Sequence, residues 1–275
     1  MDKELAYGIA GGVMVPHPPL IIPEVGRGSE KIVEETIRAY EKAADFIAEL
    51  KPDTIVLSSP HSVLYRDYFH ISPGNRAFGS MARFGAPQVS AEVEYDSELV
   101  AAIEREARIE KLHAGTEGER DPQLDHGTMV PLYFILKKYA SFKLVRIGLS
   151  GFDLEDHYRL GQVIAKAAFR SVRRTVFVAS GDLSHKLQES GPYGFDPMGP
   201  VYDERIMDVM GRAAFDELFD FNEDFLEQAA ECGHRSFVMM AGALDGKTLE
   251  TQCLSHQDVT GVGYGICTYK VVEED

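Results

Sequence analysis

The chain has 275 residues, 44% of them hydrophobic and 26% charged, a composition that is ordinary for a soluble globular enzyme. Its net charge of −16 argues against a nucleic-acid binder and against docking on anionic lipid. No apolar stretch reaches the roughly 20 residues of a membrane span, and no basic segment with an apolar core opens the chain. The three cysteines have no paired spacing, so we expect a cytoplasmic protein without nucleic-acid or membrane partners.

Short apolar runs alternate with stretches of helical periodicity along most of the chain. In chain order, the sequence predicts a strand at 9–15, a helix at 29–50 with Ser29 as N-cap, strands at 54–57 and 68–72, helices at 96–107 and 128–139, a strand at 143–149, a helix at 154–169, a strand at 175–179, helices at 201–212, 223–231 and 235–244, and a strand at 264–271. Two segments, 73–93 and 186–199, lack periodicity and are predicted to be long irregular loops. This pattern predicts one three-layer α/β domain over residues 1–275, with a largely parallel or mixed central sheet flanked by helices.

Three of the nine histidines follow directly after a predicted buried strand. His17 and His61 lie beside prolines that stiffen their loops, and His185 follows the strand at 175–179. In open α/β sheets ligands bind outside the carboxyl ends of the strands, and imidazole is the commonest protein metal ligand. Each histidine alone fits a structural role, but together they predict a metal site at the C-terminal ends of the strands.

Other polar residues near these histidines have candidate roles. Asp182, three residues before His185, is placed to orient that imidazole, which makes His185 the candidate general base. The alternative is that Asp182 caps a short turn beside a partly buried histidine. His126 stands where a helix begins, with Thr128 as the expected N-cap, and is predicted to face a substrate above the metal.

The join between two predicted helices offers three further metal ligands, Glu231, Cys232 and His234. Two histidines with one carboxylate form the facial arrangement of non-haem Fe(II) oxygenases. We therefore predict that Glu231 joins His17 and His61, with Cys232 and His234 as open alternatives. Glu231 could instead be a solvated residue at a helix end.

Four motifs together resemble those of the class III extradiol ring-cleavage dioxygenases, a family typified by the catalytic subunit of protocatechuate 4,5-dioxygenase. They are PHPP at 16–19, SPH at 59–61, DHGTMVPL at 125–132 and SGDLSH at 180–185. The chain also resembles the Memo-like relatives of that family, including the B protein of the AmmeMemoRadiSam system. The resemblance spans nearly the whole chain. It implies Fe(II) held by His17, His61 and a glutamate, with His185 as the acid–base residue and His126 near a catechol-like substrate that reacts with O2.

The region of the third ligand departs from the dioxygenase pattern. The dioxygenases have a Glu-x-Arg segment followed by tryptophan, whereas this chain contains no tryptophan. The Memo-like branch has a cysteine here, which would be Cys232. The alternatives are a Memo-like protein that binds another metal such as copper without ring cleavage, and a zinc hydrolase using His17, His61 and one more ligand. Because some relatives are two-chain enzymes, a homo-oligomer and a partner subunit are both open.

Overall fold

The computed structural model describes residues 7–272, which form ten strands and eight helices. The strands are β1 (Gly8–Val15), β2 (Thr54–Ser59), β3 (Phe69–His70), β4 (Arg76–Met81), β5 (Ala86–Glu94), β6 (Ala114–Gly115), β7 (Lys143–Gly148), β8 (Arg174–Ser180), β9 (Leu249–Gln257) and β10 (Tyr264–Val271). The helices are α1 (Pro23–Gly26), α2 (Glu34–Leu50), α3 (Ser97–Ile109), α4 (His126–Lys138), α5 (Leu154–Arg170), α6 (Met198–Arg212), α7 (Glu223–Ala229) and α8 (His234–Ala243).

A six-stranded mixed sheet in the order β7-β2-β8-β1-β10-β9 forms the centre of the fold. Strands β7, β2, β8 and β1 are parallel, whereas β10 runs antiparallel to β1 and β9 antiparallel to β10. Every residue of β1 and β2 is buried, which explains their apolar sequences, because parallel strands are covered on both faces. The carboxyl ends of the four parallel strands meet at one edge.

Two hydrophobic cores lie on opposite faces of this sheet. Alternate residues of each strand therefore pack in different cores. In β2, Val56 packs in the core formed with α3, α5 and α8, whereas Ile55 and Leu57 pack in the core formed with α2 and α4. The predicted three-layer α/β architecture is therefore confirmed. In residues 7–272 no helix is long and apolar enough to cross a bilayer. A cytoplasmic location stays a prediction.

One hairpin and one edge strand of the central sheet escape the sequence pattern. The segment 73–93, predicted to be irregular, forms the β4–β5 hairpin. The buried face of β4 carries Ala77, Gly79 and Met81, and a side chain on Gly79 would collide with Leu124 and Met129. Strand β9 was not predicted because it is an edge strand, largely exposed, without apolar alternation. The segment 186–199 was predicted to be a loop. It contains no helix or named strand up to Met198, where α6 begins.

Two predicted helix caps are wrong by a few residues. Ser29 begins a short 3-10 helix, Ser29–Val33, that precedes α2, and Gly28 stands at the cap position without a side-chain hydrogen bond. At α4 the cap is Asp125, whose carboxylate accepts a hydrogen bond from the backbone N–H of Thr128. Asp was enriched at this position as strongly as Thr, and its charge suits the helix N-terminus better.

Candidate metal centre

Two histidines and one cysteine meet at the carboxyl edge of the sheet. His17 follows β1, His61 follows β2, and Cys232 lies between α7 and α8. Their ligand atoms lie within 4.8 Å of one another. His17 Nε2 is 3.0 Å from His61 Nε2 and 3.7 Å from Cys232 Sγ. Two imidazole nitrogens and one sulfur therefore face a common point.

Hydrogen bonds fix which nitrogen of His17 carries the proton. The Ser180 hydroxyl donates to the carbonyl oxygen of Gly127 at 2.6 Å, so its oxygen accepts from His17 Nδ1 at 3.0 Å. A hydroxyl has one proton to donate, and this one is used on Gly127. Burial lowers the pKa of His17 to about 3, so the ring is neutral and its Nε2 lone pair points at the common point. A neutral imidazole with its other N–H bonded is the usual state of a metal-binding histidine.

The loop that carries His61 is tied to the start of α4. The Ser59 hydroxyl donates to the Asp125 carboxylate at 2.6 Å, and the backbone N–H of His61 donates to Ser59 at 3.2 Å. Gly127 packs so tightly here that a Cβ on it would lie 2.4 Å from Ser59 Oγ. This contact holds the His61 loop and the α4 N-terminus together.

The structure separates the three candidates for the third ligand. Glu231 accepts a hydrogen bond from the backbone N–H of His234 at 2.6 Å, and so serves the N-terminus of α8. His234 Nε2 donates to Leu218 O at 3.0 Å, and its Nδ1 faces Tyr202 OH at 3.4 Å, so both ring nitrogens have partners. Of these candidates, the geometry brings only Cys232 to His17 and His61.

Close backbone contact places Cys232. A Cβ on Gly181 would lie 2.1 Å from Gly233 Cα, so the loop after β8 and the loop before α8 touch at two glycines. Across this contact, the backbone N–H of Asp182 donates to Cys232 Sγ at 3.3 Å. Burial raises the pKa of the Cys232 thiol well above its usual value. The sulfur is therefore a thiol until a cation displaces its proton.

Asp182 and His185 lie beside the three ligand candidates. Asp182 Oδ2 is 4.0 Å from Nε2 of both His17 and His185. His185 Nδ1 donates to Ala230 O at 2.7 Å, which leaves its Nε2 without a proton in the neutral ring. Burial raises the pKa of Asp182 to about 6, although the backbone N–H of His17 bonds to it. Asp182 can therefore take up a proton as the pH falls toward about 6.

His126 borders both the cluster and a large cavity. Its ring centroid is 4.0 Å from that of His61 and 5.4 Å from that of Phe84. Burial lowers the pKa of His126 to about 4, so the ring is neutral and carries one N–H to donate. The cavity has a volume of about 980 Å³ and is also lined by Arg83 and Arg146. This size suits a small organic ligand.

Sequence reasoning missed the residues that hold the ligands. Ser59 and Ser180 are the last residues of β2 and β8, where a polar side chain ends an apolar run. That position is a usable signal, because a hydroxyl at a buried strand end needs a partner. Arg146 was missed too: it is buried on β7 and donates to Gln123 O at 2.5 Å, which holds one wall of the cavity.

The donor set fits a transition-metal ion. Imidazole and thiolate suit Fe(II), Zn(II) and copper, whereas Mg²⁺ and Ca²⁺ prefer oxygen ligands. Ligand atoms bound to one ion at roughly 2.0–2.3 Å lie about 3–4 Å apart in tetrahedral geometry. The two separations from His17 Nε2, 3.0 and 3.7 Å, meet this condition, and all three ligand atoms lie within 4.8 Å of one another.

Comparison with known proteins identifies a matching family and several relatives of this chain. Residues 11–267 match the family described as the catalytic LigB subunit of aromatic ring-opening dioxygenase. The chain is 37% identical over 281 residues to Protein CA_C1420 of Clostridium acetobutylicum. This alignment covers 96% of the chain but only 58% of that protein's length. It is 26% identical to the 2-aminophenol 1,6-dioxygenase beta subunit of a Pseudomonas species, covering 96% of this chain and 95% of that one.

The chain is also similar, at lower identity, to a further curated protein and to a solved structure. A 2,3-dihydroxyphenylpropionate/2,3-dihydroxicinnamic acid 1,2-dioxygenase of Rhodococcus jostii is 23% identical, covering 94% of this chain and 97% of that one. Among solved structures, uncharacterized protein JW3007 from Escherichia coli K12 superposes with a TM-score of 0.58 at 14% identity, over 94% of this chain and 99% of that one. The last similarity concerns the fold alone.

Proposed function

Because the chain belongs to the family of catalytic LigB subunits of aromatic ring-opening dioxygenases, we propose that it is an Fe(II)-dependent extradiol dioxygenase acting on a catechol-like aromatic with O2. The observation that carries this proposal is the placement of the His185 Nε2 lone pair next to the imidazole and thiol cluster. A base beside a metal is what removal of a proton from a catechol hydroxyl requires.

We propose His17, His61 and Cys232 as the metal ligands. Cys232 replaces Glu231 in this role because the Glu231 carboxylate is occupied by the first turn of α8. When bound, the metal ion supplies Lewis acidity that lowers the pKa of a phenolic hydroxyl, and a template that holds both reactants. Ser180 keeps His17 in the tautomer that can bind.

The neighbouring residues have separate proposed roles around the substrate. His185 takes a proton from a substrate hydroxyl at its Nε2, while Ala230 O keeps the opposite N–H bonded. Asp182, 4.0 Å away, stabilises the resulting imidazolium. His126 donates its N–H to a substrate oxygen, and its ring together with Phe84 offers aromatic faces to the substrate.

A second candidate function follows from the sulfur ligand. Two imidazoles and one thiolate also suit Zn(II) and copper, and they leave a coordination position open. A Memo-like metal protein without ring cleavage, or a zinc hydrolase, would use the same three residues. One relative is named as a beta subunit, so a partner subunit or a homo-oligomer is part of the proposal as well.

Anaerobic reconstitution separates these functions. The purified chain is loaded with Fe(II), the iron content is measured, and protocatechuate, catechol, 2-aminophenol or 2,3-dihydroxyphenylpropionate is added with O2. We expect O2 uptake matched by a yellow ring-opened product for at least one compound. A chain that holds one iron per molecule but opens none of these rings would favour the second candidate. The same test with Zn(II) is the control, because zinc has no redox chemistry.

A further inference from the structure

Two cysteines far from the metal cluster face each other across the edge of the sheet. Cys253 on β9 is the register partner of Cys267 on β10, next to an irregularity in the pairing. Opposed residues of antiparallel strands have Cα atoms about 4.5–5.5 Å apart. A disulfide spans Cα separations of about 4.4–6.8 Å, so register partners such as this pair lie within the range that a disulfide spans.

The two thiols differ in exposure and in acidity. Cys253 is exposed and Cys267 is buried. A hydrogen bond from the Cys267 thiol lowers the pKa of Cys253, and His256 on the same strand lowers it further. The same contact and burial raise the pKa of Cys267. Cys253 is therefore the thiol that reaches the reactive thiolate form in contact with solvent.

A buried carboxylate supports the positive charge of His256. His256 Nε2 lies 2.8 Å from Asp203 Oδ2, and this hydrogen bond raises the pKa of the imidazole. Asp203 is itself fixed, because its other oxygen accepts from the backbone N–H of Ser184 at 2.9 Å. These hydrogen bonds hold the His256 imidazole in place on the same strand as Cys253.

We propose that Cys253 and Cys267 form a peroxide-sensitive dithiol, with Cys253 as the attacking and Cys267 as the resolving residue. The Cys253 thiolate attacks one oxygen of hydrogen peroxide, the O–O bond breaks, and the released hydroxide takes a proton to become water. The Cys267 sulfur then displaces hydroxide from the Cys253 sulfenic acid, forming the S–S bond and a second water. Two electrons from the two sulfurs reduce one peroxide to two waters.

The bridge would connect the open edge of the sheet to its interior. Strand β9 has one neighbour in the sheet, whereas β10 also pairs with β1, where Cys267 lies opposite Met14. Oxidation therefore fastens the edge strand to β10, which is the direct neighbour of β1, the strand that leads into the His17 loop. An accessible thiolate beside a resolving cysteine is typical of redox-sensitive sites.

Thiol counting on the full-length chain tests this proposal. Metal-free protein is treated with a small excess of hydrogen peroxide, denatured, and alkylated with N-ethylmaleimide for intact-mass and peptide analysis. We expect three alkyl groups before treatment and one after it, a mass lower by two hydrogens in the linked 253–267 peptide, and three groups again after dithiothreitol. Cys253→Ser, an exposed change that spares the core, should keep two alkylated thiols throughout.

Two further variants decide the roles. Cys232→Ser should form the same bridge at the same rate, because Cys232 lies at the histidine cluster and not at the β9–β10 pair. Cys267→Ser should trap Cys253 as a sulfenic acid that dimedone labels. A bridge that involves Cys232, or a wild-type chain in which Cys253 overoxidises without forming a bridge, would overturn the proposal.

Discussion

A single hydroxyl, that of Ser180, determines the tautomer of His17 at the candidate metal centre. Ser180 has its one proton on Gly127 O, which forces His17 to donate from Nδ1 and to present a lone pair at Nε2. The residue at the end of a strand thus determines the protonation of a residue 163 positions away in the sequence. This is the usual relation between a metal-binding histidine and its hydrogen-bond partner.

Ser180→Ala tests that relation. The substitution leaves the Nδ1–H of His17 without its acceptor, so the ring can turn or change tautomer. We expect metal affinity to fall by about 10–100-fold, measured by competition with a chelator for Zn(II). Ser58→Ala is the matched control, because Ser58 Oγ is buried on β2 without a hydrogen-bond partner. Equal affinities for Ser180→Ala and the wild type would show that Ser180 does not control the metal-binding tautomer of His17.

His185→Ala separates proton transfer from metal binding. His185 lies in a second group with Asp182 and Cys232, but the proposed ligands are His17, His61 and Cys232, so we expect the variant to retain its iron. Turnover of a ring-opening substrate should fall by about 10²–10⁴-fold, since a general base contributes this much. His113→Ala, at an exposed position, should match the wild type in both measurements. Loss of iron with the His185 change would instead make it a ligand.

At the scale of elements, backbone contact between α5 and α8 positions the cysteine loop. A Cβ on Gly161 would lie 2.0 Å from Met239 O, and one on Gly242 would lie 1.9 Å from Tyr158 O. The two helices therefore touch at two glycines. Because α8 begins two residues after Cys232, this contact fixes where the thiol lies.

Gly161→Ala tests the packing of these helices. The added methyl group must push α8 away from α5, and we expect a loss of about 1–3 kcal/mol of unfolding free energy by urea denaturation. Gly211→Ala in α6 is the matched control, because its Cβ would meet only the Cys253 side chain at 3.1 Å. Alanine there should be neutral or stabilising, since it favours a helix over glycine. A Gly161→Ala chain as stable as the control would mean that the helices can separate freely.

The sequence predicts buried elements better than exposed ones. Strands β1, β2, β7 and β8 were recognised because burial on both faces selects continuous apolar runs. The β4–β5 hairpin was missed because its inner face uses Gly79, and β9 because only one of its nine residues is buried. Patterns of hydrophobicity report burial, so an element that buries small or few side chains leaves no pattern.

Strand ends predict the site only in part. His17 and His61 could be placed at one edge because parallel strands end together. The choice between Glu231 and Cys232 could not be made, because adjacent residues in a loop point in different directions and no periodicity records which. The contact of Gly181 with Gly233, which brings Cys232 rather than Glu231 near His17 and His61, joins segments about 50 residues apart.

For the whole molecule, buried neutral histidines make stability depend on pH. His157 donates from Nδ1 to Asp153 O at 2.7 Å and accepts at Nε2 from Ser150 N at 3.4 Å. Burial lowers its pKa to about 4, whereas an unfolded histidine titrates near 6.5. Between these values the unfolded chain binds a proton that the folded chain does not, so acid favours unfolding. His157 thus stabilises the fold above pH of about 6.5, by about 3 kcal/mol, and this is lost as pH falls toward about 4.

His157→Gln tests this dependence in metal-free protein. Burial raises the pKa of Asp182 to about 6 and of Glu231 to about 7, and these two carboxyls oppose the histidine effect. The comparison of variant with wild type cancels their contribution. We expect the unfolding free energy to fall less steeply from pH 7 to pH 5 in the variant than in the wild type, by urea denaturation. If the unfolding free energies of the two proteins changed equally with pH, His157 would have the same pKa in the folded and the unfolded chain.

X-ray absorption at the iron edge tests the metal centre most directly. The chain is loaded anaerobically with Fe(II) and compared with its Cys232→Ser and Glu231→Gln variants. We predict one sulfur neighbour at about 2.3 Å with nitrogen neighbours near 2.1 Å in the wild type and in Glu231→Gln, and no sulfur in Cys232→Ser. A wild-type spectrum with only nitrogen and oxygen neighbours, changed by Glu231→Gln and unchanged by Cys232→Ser, would contradict the assignment of His17, His61 and Cys232.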